Sequence, residues 1–161
     1  MWQNLADTLD TLGGVYEKLT ALGKRKHEAL VGINMTGLAK ILDEEQKLTT
    51  EVRKLEQKRL ALLKELSKTN TTAIEPTRVN DFYRSAPSHV MTENLIRLHQ
   101  RLSESVNAAT KISNENQFLA KCALDAVQNK LNRLSGATVE PTYSGSGGDI
   151  VSHQKKFDFK A

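Results

Sequence analysis

No glycine or proline interrupts residues 38–75 or residues 88–135, and both stretches repeat apolar side chains every three or four positions. A glycine or proline inside a helix costs about 1 or 3 kcal/mol respectively relative to alanine, so their absence over such lengths favours unbroken helix. The three-to-four spacing places the apolar residues on one side of each helix. A chain with this constraint has few folds open to it. It packs long amphipathic helices side by side, and it works by offering a helical face to another helix.

The first segment reads as a helix over about residues 3–31, with Leu5, Leu9, Leu12, Tyr16, Leu19, Leu30 and Ile33 in a heptad-like stripe. Gly23 and Lys26 interrupt the stripe, and Gly13-Gly14 weakens the helix. That pair marks either a kink or a close helix contact. Residues 32–37 form a turn in which Asn34 or Thr36 can accept hydrogen bonds from the free amides of the next helix. The second helix covers about 37–67 with the stripe Leu38, Ile41, Leu48, Val52, Leu55, Leu62 and Leu66. Glu45 and Arg59 fall at its core positions, where polar groups reduce stability and fix register. So short a turn makes the two helices antiparallel.

Residues 68–87 break the pattern with Thr69-Asn70-Thr71-Thr72, Pro76 and Pro87. Within the break, residues 77–84 can form a short helix that docks Phe82 on the bundle. Ser88 or Thr92 caps the last helix, over about 89–135. Its face reads Leu95, Leu98, Leu102, Val106, Ala109, Ile112, Asn116, Leu119, Ala123, Val127, Leu131 and Leu134. This helix is longer than its two partners, so part of its stripe should overhang. Gly136 ends it, and the run from Pro141 to Gly148 reads as flexible. The reading is all-α. An elongated antiparallel hairpin packs with a long C-terminal helix in a coiled-coil-like three-helix bundle over 1–136, followed by a flexible tail over 137–161.

Composition excludes several functions. Aromatics are 5% of the chain, so the core is aliphatic. The formal charge of +4 is spread among acidic neighbours, as in Asp43 with Lys47 and Glu56 with Arg59, which marks a solvated face and argues against nucleic acid. The four histidines are far apart and the single cysteine, Cys122, reads as small core filler. No metal site, cofactor cradle or nucleophile with a base is legible, so the chain is not read as an enzyme. One cysteine suits a reducing compartment, no run is apolar enough to span a membrane, and no secretory leader is visible at residues 1–4.

The order of elements carries a resemblance. A leucine hairpin closes with the run from Leu55 to Leu63, a polar break follows, and the long helix holds Asn114-Glu115-Asn116-Gln117-Phe118-Leu119 ahead of Thr142-Tyr143 and a glycine-rich stretch. Over residues 3–148 this resembles the FlgN family of flagellar type III export chaperones. The resemblance implies a cytoplasmic protein that binds the C-terminal helical segments of the hook-associated proteins FlgK and FlgL and delivers them to the export-gate component FlhA. It implies a cargo surface on the last helix, here Asn116, Leu119, Ala123, Val127, Leu131 and Leu134, and a gate-binding tyrosine at Tyr143. Two alternatives stay open from the residues themselves. The stripe from Leu119 to Leu134 and Asn116 can be internal core. The protein can also be a structural coiled coil or adaptor, including a homo-oligomer.

Overall fold

The computed structural model describes residues 1–69 and 79–136. The tail over 137–161, expected to be flexible, lies outside them. Among the described residues the chain is all-α: α1 (Trp2–Val31), α2 (Met35–Thr69), α3 (Val79–Tyr83) and α4 (His89–Ser135). It divides into two compact units, 1–116 and 117–161, and the boundary falls inside α4.

In the first unit α1 and α2 form the antiparallel hairpin that the short turn requires. Ion pairs join Arg25 to Glu44 and Lys26 to Glu45 across the two helices. Thus Glu45, at a core position of the heptad, is satisfied by Lys26 at 2.7 Å. Arg59 is likewise held by Glu56 at 2.8 Å. The turn itself is closed by backbone geometry. Ile33 N–H donates to Leu30 O and Asn34 N–H to Ala29 O, the paired bonds of a Schellman ending. Asn34 Oδ1 then accepts from Gly37 N–H at 2.9 Å and opens α2, which begins at Met35, ahead of the expected start at 37.

That ending puts Ile33 at φ 52, a left-handed conformation in which a β-branched side chain is crowded. Ile33 is expected in the apolar stripe of α1. It is instead 79% exposed, because the chain has already left the helix at Gly32.

The main core joins Leu5, Leu9 and Leu12 of α1, Leu62, Leu63 and Leu66 of α2, Phe82 and Tyr83 of α3, and Leu95, Leu98 and Leu102 of α4. The short helix α3 docks as expected. Phe82 is fully buried with its ring 5.4 Å from that of Trp2. Burying one such ring contributes about 2–3 kcal/mol. Ser88 is the cap of α4: its Oγ accepts from Met91 N–H. Thr92 serves otherwise, donating to Tyr83 O and so fastening α3 to α4.

Within the first unit α4 runs parallel to α1. Arg101 bridges Asp10 and Glu17, and further along Asn116 meets Gly23 and His27. Of the two readings left open at Gly13-Gly14, a contact is present at Gly13, where a Cβ would lie 3.9 Å from Arg101 Nε, but the tight approach is at Gly23. A Cβ placed at Gly23 would lie 2.7 Å from Ile112 Cγ2, whereas one at Gly14 would meet nothing within 4 Å. A second, smaller core of Leu22, Ala29 and Ile41, backed by Leu38 and Leu48, belongs to α1 and α2 alone.

Candidate functional site

Asn116 divides α4 into two kinds of surface. It is 3% exposed, and its amide is used inside the first unit. Nδ2–H donates to Gly23 O at 2.7 Å, and Oδ1 lies 3.1 Å from His27 Nδ1. Since Oδ1 only accepts, Nδ1 of His27 carries the proton. Gly23 is what allows this: without a side chain there, α4 comes close enough for Asn116 to reach the α1 backbone. The structure therefore places Asn116 as a buried internal link rather than on an open face with the other candidate residues.

From Gln117 to Ser135 every residue is exposed except Leu119, which is half-buried. The helix continues with its apolar periodicity intact. Val127 is 56%, Leu131 54% and Leu134 64% exposed. At about 100° per residue, Ala123, Val127, Leu131 and Leu134 fall within one quadrant of the helix, with Leu119 at its margin. The structure thus brings Leu119, Ala123, Val127, Leu131 and Leu134 onto one stripe, open along all but its first residue. Leu124, also exposed, borders the same stripe and is not in the sequence reading. It sits five residues after Leu119, outside the a/d spacing used to trace the face, and a wider arc would have included it. Phe118, exposed as well, points to the opposite side of the helix.

Cys122 is expected as core filler, and the structure corrects this: its thiol is exposed. In sequence it stands among the stripe residues, but on the helix it lies about 60° beyond Leu119 and only about 40° from Phe118. The 3.6-residue count therefore carries it off the apolar arc. The charges of this half-helix are uneven. Lys121, Lys130 and Arg133 stand against Asp125, and among the described residues none of the four forms an ion pair. Such a surface is apolar along one arc and basic around it.

Two polar clusters of the first unit are structural by their partners. Arg101 holds the Glu17 carboxyl below its usual range through a charged hydrogen bond, and Glu17 in turn raises the Arg101 guanidinium. Tyr83 Oη lies 3.3 Å from His99 Nδ1. Burial pushes the Tyr83 phenol up to about 12, and burial together with the Arg59 cation lowers His99. Among the described residues no group of histidine, cysteine and carboxylate side chains could hold a metal ion, and no helix is long and apolar enough to cross a membrane. Tyr143, the remaining candidate, lies outside the described residues.

No curated protein and no solved structure matches the chain. A family model described as FlgN protein matches residues 1–149, nearly the whole of the 161-residue sequence. The match takes in the hairpin, the short docking helix, all of α4 and the Thr-Tyr-Ser-Gly run that follows. The chain therefore belongs to the FlgN family, a family of flagellar export chaperones.

Proposed function

We propose that the apolar stripe of α4, half-buried at Leu119 and open at Ala123, Leu124, Val127, Leu131 and Leu134, binds the C-terminal helical segments of the hook-associated proteins FlgK and FlgL in the cytoplasm. The single observation behind this is an amphipathic half-helix whose apolar arc, from Ala123 to Leu134, stays exposed through about three turns. Before assembly those cargo segments carry unpaired apolar stripes of their own. Laying one against the other removes both from water at about 25 cal/mol per Å² and blocks premature self-association. Asn116 serves as the internal anchor that precedes the binding half of α4 in sequence. Tyr143, in the tail over 137–161, then engages FlhA, so that one chain holds cargo and gate together. The helical body over 1–136 and the tail form the two working parts.

Gel filtration of the purified chain with FlgK or FlgL tests the reading. Co-migration is expected, and separate elution of all three proteins overturns it. Tyr143→Ala should leave the cargo complex intact and weaken FlhA binding. Equal loss of both would remove the division of roles. The alternative of a self-associating coiled coil has less support, because the basic flanks of the stripe would face one another between two copies.

A further inference from the structure

The half of the hairpin nearest its turn has a small core drawn from α1 and α2, while α4 passes on the side of Gly23 and His27. Leu22, Ala29 and Ile41 are buried there, with Leu38 and Leu48 half-buried against them. Over this small core lies an open groove of about 410 Å³ between α1 and α2, with Leu22 and Leu48 at its floor and the exposed Ala21 at its edge. Its walls are ionic: Lys18 and Arg25 from α1, Glu44 and Lys47 from α2. Arg25 is neutralised by Glu44 at 2.9 Å. Among the described residues Lys18 and Lys47 form no close ion pair, so the groove lining carries three cations, Lys18, Arg25 and Lys47, against the one carboxylate of Glu44.

We propose that this groove receives an amphipathic helix whose narrow apolar strip is flanked by acidic side chains. Positions 18, 21, 22 and 25 of α1 and 44, 47 and 48 of α2 have the i, i+3, i+4 spacing of a helix-docking seam. A docked helix would cover the open side of this small core, and carboxylates at its edges would meet Lys18 and Lys47. A second copy of the chain fits poorly. Its own exposed apolar arc, on residues 117–135, carries three cations and one anion. Nucleic acid fits poorly as well. The floor has no aromatic ring to stack a base, and Glu44 stands in the wall. The occupant is a different partner from the cargo, and the inference does not depend on the stripe of α4.

The test uses the full-length chain labelled with nitrogen-15 and two synthetic helical peptides of about five turns. Both carry the same leucine strip, one flanked by glutamate and the other by lysine. The glutamate peptide is expected to shift the amides of Ala21, Leu22 and Leu48 and to bind at least about tenfold more tightly than the lysine peptide. Two variants with exposed side chains control for folding. Lys18→Glu with Lys47→Glu should cost about tenfold or more through charge, and Ala21→Arg should cost as much through bulk. Binding of FlgK should be unchanged in both. Equal affinity for the two peptides overturns the proposal. So do shifts confined to residues 117–135, indifference to the lysine reversals, displacement of the peptide from these amides by duplex DNA, or self-association through the groove.

Discussion

Ile33 occupies the left-handed position of the Schellman ending, where glycine is the usual residue and an L side chain costs about 1–2 kcal/mol. Ile33→Gly should therefore raise stability by about 0.5–1 kcal/mol after the greater chain entropy of glycine is counted, read as a higher urea midpoint. Nothing in the sequence marked this. Gly32 stands one residue too early, and the heptad count carried Ile33 into the stripe. His99 is under a different constraint. Burial and the Arg59 cation lower its folded value below 6.5, so the unfolded chain takes up the proton first. Its contribution is complete above about pH 6.5 and is lost as pH falls through the folded value. His99→Gln should flatten that part of the stability profile, measured by denaturant melts across the acid range. The cluster of Tyr83, His99 and Arg59 was illegible beforehand because it joins three helices across a polar break.

At the scale of elements, the contact between α1 and α4 is governed by Gly23. Its substitution brings two opposed effects. Alanine improves helix propensity by about 1 kcal/mol, while a Cβ there collides with Ile112, whose branched side chain is stiff in a helix. Overpacking costs about 1–3 kcal/mol, so Gly23→Ala should destabilise the protein. In an Ile112→Ala background the same change should stabilise it, and a double-mutant cycle of melting curves reads the reversal. Asn116→Ala should cost about 1–3 kcal/mol, because the His27 ring loses its partner and Gly23 O loses the second of its two hydrogen bonds. Helix number, type and approximate limits were legible, because an uninterrupted 3.6-residue period is a local property. Even the docking of Phe82 could be read, from an aromatic residue within a polar break, although the equal burial of its neighbour Tyr83 could not. Which glycine permitted close approach was not. Gly13-Gly14 looked the better candidate as a pair, but only the placement of α4 decides what stands opposite a glycine.

For the molecule as a whole, the buried core and the proposed binding stripe occupy different lengths of α4. The main core ends before Asn116, and the apolar residues Leu124, Val127, Leu131 and Leu134 after it are exposed. Leu131→Ser with Leu134→Ser should leave the unfolding midpoint nearly unchanged and weaken the FlgK complex about 100-fold, at about 1.5 kcal/mol for each lost apolar contact. Calorimetric titration checks the second and a thermal melt the first. The stripe itself was readable as a periodic pattern. Whether it was core or surface was not, since a helix period is the same whichever neighbour covers it. Leu131 differs from Leu98 only in what the rest of the chain brings to it.

The exposure of Cys122 has a practical side. It is the sole thiol of the chain, on the same half-helix as the apolar arc yet turned away from it. A maleimide dye would attach at one place, without engineering, and sit close enough for its emission to change when a second helix arrives. A dye at Cys122 would thus report directly on whether the proposed cargo helix arrives at this half of α4.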